Sequence, residues 1–190
     1  IREHTALYES YAADFAAQIA ADPHGLLRPE RQCGDIPTPS YALFHQAVAW
    51  RGLRDMATVW GQVGRDDLRE RYETLARQWR QAIRRGVERT SRDLPDGSLF
   101  VGLRLHEPVE VYSPITATRL GSYWNLCMPY AFASGLWADD DPALRRILDF
   151  IHGHGGNLLG LTRFNYYPTP IGSHRPDGLP GYCTTGFDNV

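Results

Sequence analysis

Lysine is absent from this chain: all 20 basic residues among its 190 are arginine. That excludes a Schiff-base lysine or a phosphate-gripping P-loop lysine within it. Long runs of one charge are missing too, none exceeding Asp139-Asp140-Asp141, and the formal net charge is −2. Nothing here builds the continuous basic surface that nucleic acid or anionic lipid demands. Cysteine is scarce, with only Cys33, Cys127 and Cys183, widely scattered and without a CxxC pair. A zinc ribbon or a disulfide framework is therefore not expected, and each thiol reads as a buried free one. No repeat recurs at a fixed period, which argues against armadillo or tetratricopeptide arrays. What is present is a 43% hydrophobic fraction, enough for a packed core, so disorder is excluded as well.

Two windows of equal length define the architecture. Residues 41–62 hold three charged residues, Arg51, Arg54 and Asp55, whereas residues 66–87 hold ten. In the second window Leu68, Tyr72, Leu75, Trp79, Ala82, Ile83 and Val87 recur at steps that make one stripe on a helix with a wet face. The first window is apolar almost all round and predicts a helix enclosed by others. The pattern then repeats. Residues 120–138 carry no formal charge, but Gly121, Ser122, Asn125, Pro129, Ser134 and Gly135 interrupt them. Those breakers argue for a buried helix, kinked at Pro129, rather than a membrane span. Asp141-Pro142 then reads as an N-cap and first-turn pair for an amphipathic helix through Leu144, Ile147, Leu148 and Ile151. Gly153, Gly155 and Gly156 end that helix. Residues 4–21 form a further helix, with Leu7, Tyr11, Phe15 and Ile19 four apart. Short turns thus join buried to wet helices, while the links 22–37, 93–118 and 156–190 are long and rich in Gly, Pro and aromatics. A short β-ribbon is expected between Ser98 and Tyr112, around Pro108. The fold class expected is all-α, a toroid or solenoid of helical hairpins, with that ribbon in an inter-hairpin loop. Because the chain starts at Ile1 and stops at Asp188-Asn189-Val190 as a new element begins, 1–190 is expected to be part of one domain in a longer protein.

In such an arrangement the amino ends of the inner helices and the long loops converge on one depression, the usual home of function. Asp35, in the segment before the first inner helix, is a candidate carboxylate for proton transfer or a helix cap. Glu107 lies in the ribbon beside Leu105 and His106. Tyr123 and Trp124 offer flat faces of the kind that stack on sugar rings, and Asn125 offers fixed donors; core packing is the competing role for Trp124. Arg163, Asn165, Tyr166 and His174 cluster in the last link, and Asp188 echoes the position of Asp35 two hairpins earlier. His152 and His154 suit a helix C-terminus better than a metal, having no Cys or carboxylate in ligand register, and no metal site is expected. The run Gly153 to Gly156 matches neither the P-loop nor the dinucleotide spacing.

Three short strings carry a resemblance: Gly25-Leu26-Leu27-x-Pro29, Gly34-Asp35 opening a buried helix, and Trp124-Asn125-x-x-x-Pro129-Tyr130. Together they resemble the six-hairpin glycosidase superfamily of (α/α)6 toroids. The visible hairpins would make about half a ring, an incomplete toroid that the rest of the chain completes. The resemblance implies a carbohydrate-active enzyme, often inverting, with carboxylates on the loops at the inner-helix amino ends and no cofactor. On that basis Asp35, Glu107 and Asp188 are the expected catalytic residues. Tyr41, Tyr123, Trp124 and Tyr166 would line sugar subsites, with Asn125, Arg163 and Asn165 as hydroxyl partners. The expected partner is an oligo- or polysaccharide. A non-catalytic glycan- or protein-binding helical module, and a polysaccharide lyase on the same ring, are the alternatives.

Overall fold

The computed structural model describes residues 2–33, 36–158, 161–163 and 184–188. These are mainly helical, with a few short strands. The chain folds as two compact units: one runs to Arg89 and takes in Arg104–Glu107, the other comprises Thr90–Leu103 and the residues from Pro108 onward. No described helix is long and apolar enough to cross a membrane.

The first unit holds α1 (Thr5–Ala21), β1 (Glu30–Cys33), β2 (Ile36–Ala42), α2 (Leu43–Gln62) and α3 (Asp66–Thr90). Helices α2 and α3 form a hairpin turned at Gly64, whose φ of 76° suits a residue without a Cβ. Asp66 and Asp67 open α3, where the helix dipole favours negative charge. The α3 stripe is the predicted one with one exchange, since Leu75 is only half-buried and Ala76 is buried instead. The predicted all-round burial of α2 is not seen. Its buried side chains, Leu43, Gln46, Ala47, Trp50, Leu53, Ala57 and Trp60, make a single stripe. The opposite face is open: Val48 is 47% exposed, and Arg51, Gly52 and Asp55 are exposed as well. Arg51 and Asp55 pair there one turn apart at 3.3 Å, and Arg54 pairs with Asp55 at 2.8 Å. A count of apolar residues hides this, because the few charges of α2 all fall on or beside one face.

A polar side chain holds the apolar stripes together. Buried Gln46 donates from Nε2 to the Leu27 carbonyl (3.0 Å), while its Oε1 accepts from the Leu27 amide (3.1 Å) and the Trp79 indole (3.0 Å). One amide thus ties α2 to α3 and to the loop after α1. Trp50 adds an indole bond to the Ala76 carbonyl (3.0 Å), and the Tyr72 hydroxyl donates to the Tyr8 carbonyl on α1 (2.8 Å). Strand β2 pairs antiparallel with β1 on one side and with the two-residue β5 (Arg104–Leu105) on the other.

The second unit holds β3 (Ser91–Asp93), β4 (Leu99–Val101), α4 (Arg119–Ala133), α5 (Pro142–Gly153), β6 (Asn157–Leu158), β7 (Leu161–Arg163) and β8 (Thr184–Asp188). The expected ribbon around Pro108 is not formed. Instead β4 folds back on β3, in register Ser91 to Val101, through a turn in which the Ser98 amide donates to Asp96 (3.0 Å) and Gly97 sits at φ 87°. The Asp-Gly turn upstream closes that hairpin, and β5 is left to extend the sheet of the first unit. Helix α4 is buried along most of its length, with Pro129 inside it. It is capped by the Thr118 hydroxyl, which accepts from the Gly121 amide (3.0 Å), and ends before Gly135 at φ 76°. Asp141 caps α5 by accepting from the Ala143 amide (2.9 Å), with Pro142 in the first turn, as predicted. Cys127 is a buried free thiol; the side chains of Cys33 and Cys183 lie outside the described residues.

Replacing Gln46 by Leu strands the Leu27 amide and carbonyl and the Trp79 indole in an apolar environment. At about 1–3 kcal/mol per orphaned group, partly relieved by local repacking, the expected loss is about 3 kcal/mol of unfolding free energy. Urea denaturation followed by tryptophan fluorescence measures it, with Val48→Ala on the open face as a near-neutral reference.

Candidate functional site

The described residues richest in converging polar chemistry lie in the first unit, at the amino-terminal end of α2. Asp22 caps the end of α1 and starts a tight turn. Its Oδ1 accepts the backbone amides of His24 (2.9 Å) and Leu26 (3.2 Å), and Gly25 follows at φ 74°. The remaining oxygen, Oδ2, accepts the Tyr41 hydroxyl at 2.5 Å. Tyr41 stands in β2 directly opposite Leu105 of β5, and this pairing brings the segment Leu105-His106-Glu107 to the same place. His106 then stacks on His24, with ring centroids 3.7 Å apart and planes 10° from parallel. Tyr41 meets both imidazoles edge-on, at 5.5 Å from His24 and 6.0 Å from His106.

His106 adopts φ 64°, alone among the described non-glycine residues in that left-handed region. Such a conformation costs on the order of 1–3 kcal/mol and persists only where the surroundings impose it. Here they do: strand pairing sets the backbone before it, the stack on His24 sets the ring, and Gly86 of α3 leaves just enough room. A Cβ built on Gly86 would lie 3.1 Å from Leu105 and 3.3 Å from His106 Nε2.

The charges of the cluster are set by different causes. Burial, then the neighbouring His24 and Arg89, press the His106 pKa below its ordinary value. The Arg89 guanidinium, which can only donate, lies 3.3 Å from His106 Nδ1. That nitrogen is therefore the acceptor, and the proton of the neutral ring is on Nε2, buried against Gly86. Burial of the Tyr41 phenol, reinforced by its bond to the Asp22 carboxylate, raises its pKa to about 12. Burial by itself would raise the Asp22 pKa, but the Tyr41 hydroxyl and the two backbone amides outweigh it and keep the carboxylate ionised. With three donors already bound, Asp22 acts as a fixed anchor for the Tyr41 ring. Glu107, half-buried, meets only Arg104 Nη1, at 3.4 Å, among the side chains of the described residues, and so keeps acceptor capacity for a substrate proton or hydroxyl.

Of the residues singled out from sequence, the structure brings Tyr41 and Glu107 to this end of the first unit. Five others, Trp124, Tyr123, Asn125, Arg163 and Asp188, belong to the second unit. Trp124 is fully buried, its indole donating to the Val101 carbonyl (2.6 Å) and its ring covered by Phe100 (5.5 Å, 20°) and Phe150 (5.4 Å, 86°). Its faces are occupied by core rings and offer no stacking surface to a sugar. Tyr123 is buried, and buried Asn125 donates to the carbonyls of Gly156 and Arg163, each at 2.7 Å. Arg163 ends β7, its amide donating to the Gly156 carbonyl (2.7 Å). Asp188 ends β8, a strand in register with β7, where the sequence predicts the start of a helix. Asp35, Asn165, Tyr166 and His174 lie outside the described residues. Asp22 and His24 were not singled out, although the string Asp22-Pro23-His24-Gly25 after a helix is a turn signal that places an Asp carboxylate over its own following amides. Among the described residues no three His, Cys, Asp or Glu side chains come together as a metal site.

The His106 environment fixes the sign of a pH effect. Its folded pKa lies below the ordinary value of about 6.5, so on acidification the unfolded chain takes up a proton that the folded one resists. Stability is expected to fall as pH drops below about 6.5. The charged groups bearing on the ring are His24, Arg89, Arg85 and Asp22, of which the first three oppose its protonation. His106→Asn, which tolerates the same backbone conformation, should flatten the pH 7-to-5 profile of the urea midpoint.

Comparison with known proteins finds no matching family model, no matching curated protein and no matching solved structure.

Proposed function

We propose that this chain is a carbohydrate-active domain that hydrolyses glycosidic bonds by carboxylate acid/base catalysis, on an incomplete (α/α)6 toroid of helical hairpins. The observation that carries this reading is the Tyr41–Leu105 pairing of β2 with β5. It delivers a carboxylate, Glu107, and an oriented phenol, Tyr41, to the amino-terminal end of α2, where long links rather than tight turns enter the helix. Glu107 is assigned proton transfer, because its carboxyl meets one donor among the described residues while that of Asp22 is held by three. Asp35, which directly precedes β2 in sequence, is assigned the second carboxylate. An inverting arrangement sets the two carboxyls ~6.5–9.5 Å apart to admit water, against ~5–5.5 Å for a retaining one. Tyr41, with its single O–H donated to Asp22 and its proton retained until about pH 12, offers a hydroxyl acceptor and a ring surface rather than a base. Trp124, Tyr123 and Asn125 are reassigned to the scaffold.

The test is turnover against a glycan panel, with product anomers followed by NMR. Glu107→Gln removes one half-buried ion pair, a contact worth about 1 kcal/mol or less at an exposed site, so the fold should persist. Its turnover should fall at least a hundredfold, within the range of roughly 10²–10⁴ for loss of a general acid or base. Asp35→Asn should do the same. Unchanged turnover in both variants rejects the assignment. Binding without turnover in the unmodified protein identifies a glycan-binding module instead, and an unsaturated product absorbing in the near ultraviolet identifies a lyase.

A further inference from the structure

The second unit contains a chain of three side chains that the glycosidase reading does not use. Asp96 lies in the β3–β4 turn, Ser113 in the link before α4, and His154 at the carboxyl end of α5. His154 Nε2 is 2.9 Å from Asp96 Oδ2, and His154 Nδ1 is 2.9 Å from Ser113 Oγ. The three come from segments far apart in sequence, so local chain geometry does not force the contact.

Each member is oriented by something else. Asp96 Oδ1 accepts the Ser98 amide (3.0 Å) and the Ser98 hydroxyl (2.6 Å), which leaves Oδ2 turned to the imidazole. Those bonds, with the one to His154, hold the Asp96 carboxyl down at about 2, so it is an anion throughout the neutral range. The His154 ring is stacked on Phe150 (4.5 Å, 26°), and its backbone is pinned on both sides. Its amide donates to the Phe150 carbonyl (3.0 Å), and its carbonyl accepts from the Ile115 amide (2.8 Å). An ionised carboxylate can only accept, so the Nε2 atom facing it carries hydrogen. In the neutral imidazole Nδ1 is then the acceptor, and the bond at that end runs from the Ser113 hydroxyl to the ring. Nucleophile, base and orienting anion thus stand in the order that activates a serine, with the two ring nitrogens in exchanged roles relative to the serine-protease arrangement. Ser113 is exposed, so its oxygen is reachable from solvent.

We infer that Ser113, His154 and Asp96 form an activated-serine site that accepts acyl groups from small esters. Ser113 Oγ attacks the ester carbonyl carbon as its proton passes to His154 Nδ1. The tetrahedral intermediate collapses with cleavage of the carbon–oxygen bond, and the leaving alcohol takes that proton. Water then attacks the acyl-serine by the same exchange, releasing the carboxylic acid and restoring the hydroxyl. Asp96 holds the imidazole orientation and stabilises its protonated form. This inference is independent of the glycosidase reading, which rests on residues of the first unit.

The experiment uses a fluorophosphonate probe, which bonds Oγ to phosphorus with loss of fluoride, followed by peptide mass spectrometry. Hydrolysis of p-nitrophenyl acetate is measured on the same samples. Labelling is expected at Ser113 and nowhere comparably. Ser113→Ala abolishes it, and His154→Ala and Asp96→Asn slow it at least tenfold, with circular dichroism unchanged. Asp96→Asn keeps an oxygen for the Ser98 contacts, so it remains informative if His154→Ala fails to fold. Absence of a Ser113 adduct, or an adduct that forms equally fast in a folded Asp96→Asn or His154→Ala variant, overturns the proposal and leaves the three residues as a structural tie.

Discussion

The primary amide of Gln46 is the contact on which the first unit turns. Buried polar groups must find partners, and those partners must be placed to fit them. By meeting both the donor and the acceptor of Leu27 as well as the Trp79 indole, one side chain fixes three things. It sets the spacing of α2 against α3, the rotation of α2 that buries its aromatic stripe, and the path of the chain leaving α1. Hydrophobic burial would accept many sliding arrangements of those helices; a planar amide with directed bonds accepts few. The loop so anchored is the one that carries Asp22 and His24 to Tyr41.

That anchoring explains why the candidate site combines strain with order. His106 is held at a left-handed backbone angle by a strand pairing on one side, a stacked ring on another and a glycine behind it. Asp22 is held by three donors and Tyr41 is locked to it, so neither group is free to change its proton easily. Glu107 differs: among the described residues its carboxyl meets only Arg104, at 3.4 Å. Neighbouring acids thus divide into an anchor and a reactive candidate by their hydrogen-bond counts, a distinction invisible in residue type.

The second unit shows the same division in its aromatic residues. Trp124 and Tyr41 look equivalent along the chain, each an aromatic residue near the start of a predicted buried helix. Trp124 closes a core with Phe100 and Phe150, whereas Tyr41 is half-buried beside two imidazoles. A flat apolar ring serves a core and a ligand equally well, so composition does not separate the two uses.

Helix positions were legible because they depend on neighbours three and four residues away. The α3 stripe, the Asp141-Pro142 start of α5 and the glycine stops are local physics, and the structure keeps them. The open face of α2 was not legible, because mean polarity does not report on which side three charges fall. Asp96-Gly97 is a turn dipeptide, yet the ribbon was expected around Pro108, and the partner of each strand was not legible. Choosing β3 for β4 and β2 for β5 is a contest between distant segments, decided by which pairing also satisfies the packing around it. The sequence by itself therefore determined where the chain coils and where it turns. Only the tertiary structure decided which carboxylates, imidazoles and rings meet, because those meetings join segments whose separation along the chain carries no record of their proximity in space.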